Sequence, residues 1–126
     1  MQQQIATFLQ LFPIIRDGGV FLCEDSHSSY FPDHGGGLKK EDTFHEFVKC
    51  LIDKMHAWYH APLSQIDSKY YAHHIYNISI YDSIVVIEKR SKNPPQIFSR
   101  AYEGNGNNPL LRTWLEMRRA SGVADE

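Results

Sequence analysis

The stretch from Gly18 to Tyr30, reading Gly-Gly-Val-Phe-Leu-Cys-Glu-Asp-Ser-His-Ser-Ser-Tyr, constrains the fold more than any other part of the chain. A short apolar run, Val20 to Cys23, opens after a glycine pair and stops at two adjacent acids, the pattern of a buried strand that delivers carboxylates to a rim. Upstream, Ile5, Phe8, Leu9, Phe12 and Ile15 recur at steps of three and four and predict a helix within residues 1–16. Pro13 bends its last turn, and Asp17-Gly18-Gly19 supplies the stop. Helix, glycine turn and buried strand together read as an α/β crossover whose preceding strand is absent from the sequence.

Beyond the strand, Ser26 to Lys40 is expected to be irregular, with Pro32, the triplet Gly35-Gly36-Gly37, and His27, Tyr30, Phe31 and His34. The triplet permits unusual backbone angles. It suits an active-site loop or a plain connector equally, because it lacks the spacing of a phosphate-binding fingerprint. Thr43 and Glu46 form a capping box for a second helix, whose stripe of Phe44, Phe47, Val48, Leu51, Ile52, Met55, Trp58 and Tyr59 faces a core and which ends before Pro62. His45 and His56 fall off that stripe and read as solvated. Ser64 to Lys69 reads as a polar link.

Residues 73–90 read as a β-hairpin turning at Tyr81-Asp82-Ser83, with His73 and His74 at the strand entry and Ile84 to Ile87 buried on both faces. An antiparallel hairpin can close the edge of an otherwise parallel sheet. From Ser91 onward, Asn93-Pro94-Pro95 and Gly104 to Pro109 break regular structure, leaving a short helix within Leu110–Arg119. The expected organisation is therefore one α/β domain over 1–92 and an extension over 93–126.

Composition excludes several partners. A net charge of −2, with Lys39-Lys40 and Arg118-Arg119 as isolated basic pairs, argues against nucleic acid. The longest apolar run falls far short of the ~20 residues of a membrane span. Cys23 and Cys50 lack metal-ligand spacing and no secretory signal is evident, so both read as reduced, buried thiols in a cytoplasmic protein.

Glu24 and Asp25 end a strand on the side where open α/β sheets place their ligands. Neighbouring side chains on a strand point to opposite faces, so both acids reach one ion only if the backbone turns at Asp25. Two readings stand: ligands for a hard cation such as Mg2+, or a pair of solvated acids. A third carboxylate is normally wanted, and Asp33 and Asp82 are the other acids in view. His27 reads as a general base, as a partner of the metal ligands, or as an ordinary loop histidine. Neither cysteine nor Ser26, Ser28 or Ser29 carries the surroundings of a nucleophile.

Two segments in this order carry a resemblance. Leu11-Phe-Pro-Ile-Ile-Arg-Asp-Gly-Gly-Val20 followed by Glu24-Asp-Ser-His-Ser-Ser-Tyr30, and then Tyr81-Asp-Ser-Ile-Val-Val-Ile-Glu-Lys89, resemble the S-adenosylmethionine-dependent sugar O-methyltransferases of the macrocin and mycinamicin type. The resemblance covers about residues 1–92. It implies an α/β fold: the C-terminal half of a Rossmann-like class I methyltransferase sheet, with a parallel strand, flanking helices and an antiparallel hairpin edge. It also implies Glu24 and Asp25 as Mg2+ ligands, His27 and Tyr30 on the segment lining the substrate mouth, and a sugar-containing small molecule as substrate. The family's Gly-rich cofactor turn, the acid gripping the cofactor ribose, and its Asp-Gly-Ser-His segment with a third metal ligand and a base have no counterpart in the sequence. The chain is thus expected to hold part of a metal site without the S-adenosylmethionine site, and to be inactive in isolation. Its open sheet edge favours association with another chain, and a noncatalytic dimerisation module is the alternative reading.

Overall fold

The computed structural model describes residues 2–60 and 66–95, together with Glu116 and Met117, which are helical and lie within a separate unit spanning 96–126. The helix expected within Leu110–Arg119 otherwise lies outside the described residues, as does Pro62. The remainder of the chain, 1–95, is one compact unit.

Helix α1 spans Gln2–Leu11 and runs into a 3-10 turn, Phe12–Ile14, because Pro13 has no N–H with which to continue the α-helical ladder. Phe8 and Phe12 are fully buried and stacked at 4.8 Å, while Leu9, expected on the same face, is exposed. The chain then reverses at Gly18, whose φ of 78° is the left-handed conformation that glycine adopts without strain. Gly18 N–H donates to Lys89 O, and Lys89 N–H to Gly19 O, each at 2.8 Å, so the turn already belongs to the sheet.

The sheet has three strands, β1 (Val20–Cys23), β2 (Ile75–Tyr81) and β3 (Ile84–Lys89), in the order β1-β3-β2. Both outer strands pair antiparallel with β3, so β1 and β2 run in the same direction. The hairpin edge is as expected. β1, expected to be a parallel strand, has the antiparallel β3 as its hydrogen-bonded neighbour, and its other edge has none among the described residues. The register sets Phe21 opposite Ile87 and Cys23 opposite Val85, all on the inner, buried face. The outer face is open, with Val20 and Leu22 each 52% exposed. Neither β1 nor β3 is buried on both faces, because the helices among the described residues of this unit pack on one side of the sheet.

Helix α2 spans Phe44–Met55, and Thr43 caps it by accepting a hydrogen bond from Glu46 N–H at 3.4 Å. The helix stops at His56 and passes into a 3-10 turn, Ala57–Tyr59, so Tyr59 is exposed rather than inward. Helix α3, Ile66–His74, replaces the expected polar link, and His73 and His74 lie at its end rather than in a strand. Phe8, Phe12, Phe21, Cys23, Phe44, Val48, Leu51, Ile75, Val85 and Ile87 form the core. Lys89 joins them at only 8% exposure: its ammonium donates to Phe12 O (3.1 Å) and Pro13 O (2.8 Å), just beyond the end of α1. Cys23 is buried, whereas Cys50, expected to be, is exposed, and both are free thiols. Among the described residues, no helix is long and apolar enough to cross a membrane.

Candidate functional site

Because β1 and β2 are parallel to each other, the end of β1 and the turn of the hairpin lie at the same end of the sheet. Cys23 pairs with Val85 and Tyr81 with Ile84, which brings residues 24–27 level with Asp82 and Ser83. Ser26 N–H donates to Ser83 O at 3.0 Å and closes this corner.

Glu24 and Asp25 are both exposed at the rim. Asp25 adopts φ 53°, ψ 31°, so the chain leaves the strand geometry at the residue where the acids would need it to turn. Aspartate is among the few non-glycine residues that enter this region readily. The Glu24 carbonyl accepts from Gln4 Nε2 at 3.3 Å, fixing the strand end to α1. Residues 26–30 then form a 3-10 turn, and a second, Pro32–His34, follows, so the segment expected to be irregular is largely turned. Gly35 has φ 75°, and a Cβ on Gly36 would lie 2.5 Å from Ser29 O. Two of the three glycines thus answer to the backbone.

His27 is half-buried between two partners. Its Nδ1 makes a short hydrogen bond with Ser83 Oγ, and Phe31 meets its ring edge-on at 5.2 Å between centroids. Tyr30 is 49% exposed, with its ring 4.9 Å from that of His45 on α2. His45 is therefore not the solvated residue expected: its Nδ1 is buried without a hydrogen bond among the described residues. Burial first, and the Lys49 ammonium next, hold its pKa below the ordinary 6.5. A cavity of about 270 Å³ lies among His27, Tyr30, His45, Lys49, Tyr81 and Asp82. Burial, and after it the negative charge of Asp25, push the Cys23 thiol above its ordinary 9.0, which keeps it protonated and unreactive.

No group of three or more His, Cys, Asp or Glu side chains placed to hold a metal ion occurs among the described residues. Glu24 and Asp25 are thus two oxygen donors without a third protein carboxylate, and neither Asp33 nor Asp82 completes them. Sequence reasoning missed Ser83 and His45. Ser83 read only as a turn residue, and the period of α2 put His45 off the core stripe without showing that the 26–30 turn would cover it.

No family model matches the sequence. The chain is 31% identical over 91 residues to the L-olivosyl-oleandolide 3-O-methyltransferase of Streptomyces antibioticus, and 30% identical over 89 residues to the demethylmacrocin O-methyltransferase of Streptomyces fradiae. These matches cover 69% and 66% of this chain but only 23% and 22% of the relatives, so the chain spans less than a quarter of their length. Among solved structures, the mycinamycin-pathway methyltransferase MycE in complex with Mg and SAH matches 96% of this chain and 29% of its own, with a TM-score of 0.66 at 22% identity. MycE with Mg, SAH and mycinamycin VI matches with a TM-score of 0.58 at 24% identity. At these identities the likeness is one of fold, and it makes the three-stranded sheet with its helices part of a Rossmann-like class I methyltransferase fold. Together with the curated relatives, it makes the chain a homologue of the sugar O-methyltransferases, matched to them over about two-thirds of its own length.

Proposed function

We propose that this chain forms part of an S-adenosylmethionine-dependent, Mg2+-assisted O-methyltransferase acting on a sugar or glycosylated acceptor. The observation that carries the reading is the left-handed turn at Asp25, which lets two consecutive acids at a strand end serve one rim. Residues 1–92 are read as part of the methyltransferase domain and 93–126 as an extension. The donor set suits a hard cation, since both groups are exposed carboxylates, and it is partial. Glu24 and Asp25 would hold the metal, which supplies charge that lowers the pKa of an acceptor hydroxyl. His27 takes the hydroxyl proton, and Tyr30 offers a half-exposed ring to the substrate. The portion of the relatives that this chain does not span is where we assign S-adenosylmethionine binding. A cytoplasmic setting suits free thiols at Cys23 and Cys50.

Titration calorimetry of the purified chain tests this. Weak Mg2+ binding is expected, lost in Glu24→Gln and in Asp25→Asn, a change that keeps the left-handed backbone. Undiminished Mg2+ binding in both variants would sink the assignment. Tight S-adenosylmethionine binding by the chain alone would overturn the view that its site lies elsewhere.

A second reading, a noncatalytic interaction module, draws on a different observation. Leu11, Ile14, Val20 and Leu22 are exposed around a groove of about 690 Å³ between α1 and the open edge of β1. Size-exclusion chromatography with light scattering decides it, since a cooperatively melting monomer counts against dimerisation through this edge.

A further inference from the structure

Ser83 occupies the second position of the β2–β3 turn with φ 66°, a conformation that favours glycine or asparagine. A serine tolerated there calls for a use of its hydroxyl, and the hydroxyl is bonded to His27 Nδ1 across a separation of 56 residues. The same residue's carbonyl accepts from Ser26 N–H. One turn residue therefore holds both the backbone directly after Asp25 and the imidazole two residues beyond it, while Phe31 bounds the ring edge-on.

We infer that Ser83 is the positioning residue for His27: its hydroxyl fixes the ring orientation and engages Nδ1, so that any proton passed to or from a sugar hydroxyl at this rim moves through Nε2. The functional half of this inference rests on the reading of the rim as a methyltransferase site, whereas the positioning itself does not. A two-residue turn needs only the backbone angle, which glycine would satisfy. The side chain is the part that reaches the rim.

The test is proton NMR of the whole 126-residue chain, reading the Overhauser contacts between the His27 ring and Phe31. Wild type is expected to show one ring orientation, whichever of the two groups donates, because the hydroxyl can give or take the proton. Ser83→Gly keeps the turn angle and the carbonyl while removing only the hydroxyl. It is expected to give a His27 ring averaged over orientations, with the Ser26 amide still protected from hydrogen exchange. Ser83→Asn, which tolerates the same backbone and carries a polar side chain, is expected to restore a fixed ring. A His27 ring averaged over orientations in wild type, an unchanged ring in Ser83→Gly, or loss of Ser26 protection in that variant would each overturn the inference. Adding Mg2+ to the same samples separates the two claims: a fixed His27 together with a rim indifferent to Mg2+ would leave Ser83 as the positioning residue and remove the assignment of Glu24 and Asp25 as metal ligands.

Discussion

Replacing Lys89 with methionine should destabilise the 1–95 unit by about 2 kcal/mol, although lysine is the charged residue and methionine the apolar one. Lys89 lies on the inner face of β3, and its ammonium is bonded to Phe12 O and Pro13 O. These carbonyls follow the C-terminal end of α1, where a cation also meets the negative end of the helix dipole. The ammonium lies 5.5 Å from the Phe12 ring centroid and 5.9 Å from that of Tyr70, adding a weaker cation–π attraction. Hydrogen bonds to a charged group contribute about 1.5–3 kcal/mol, and a carbonyl left buried without its donor costs about 1–3 kcal/mol. Against this, methionine relieves the desolvation of the ammonium, which by itself costs several kcal/mol. The Phe12 carbonyl decides the sign, because it stays buried at the end of α1 whatever occupies position 89, whereas that of the exposed Pro13 can turn to water. Urea denaturation followed by far-UV circular dichroism measures the difference, with Lys49→Met as control. Lys49 is an exposed partner of Glu46, and its loss should cost less than about 0.5 kcal/mol. A Lys89→Met variant as stable as wild type would show that desolvation cancels the bonds and refute this account.

Two further effects follow from local geometry. Gly36→Ala forces a Cβ to within 2.5 Å of Ser29 O and 2.8 Å of Phe31 N and should cost about 1–3 kcal/mol, whereas Gly37→Ala meets only the flexible Lys40 side chain at 3.3 Å and should cost far less; equal urea midpoints for the two would remove the close-packing explanation of the triplet. His74 should make stability fall on mild acidification. Its pKa is held below 6.5 first by burial, then by Lys89 and His73, against an opposing pull from Asp17, so the unfolded chain takes up the proton at higher pH than the folded one. Its contribution is complete above about pH 6.5 and is lost as pH falls through the folded pKa, with His45 acting in the same direction. Urea midpoints at about pH 7.5 and pH 5.5 should differ in wild type and differ less in His74→Gln, where His45 still titrates, and a midpoint independent of pH would contradict this.

What could be read from the sequence follows from which interactions are local. The Thr43 cap, the hairpin turn and the glycine reversal before β1 each depend on residues within a few positions of one another, so spacing alone announces them. Helix α3 was hidden because its first half is polar and the His74-Tyr76-Ile78-Ile80 alternation runs back across its end, imitating a longer strand. The one-sidedness of the sheet was equally hidden. Val20-Phe-Leu-Cys23 is apolar on both faces, and only the arrangement of helices reveals that Val20 and Leu22 face outward. The acid pair stood out because both members are adjacent in the chain. The groups that hold the rim together are not: Ser83 reaches His27 and Ser26, and Gln4 reaches Glu24, through contacts that exist only once α1, β1 and the hairpin have assembled. Chemistry carried by neighbouring residues is visible as a motif, whereas the parts that orient it come from distant turns and become visible only in three dimensions.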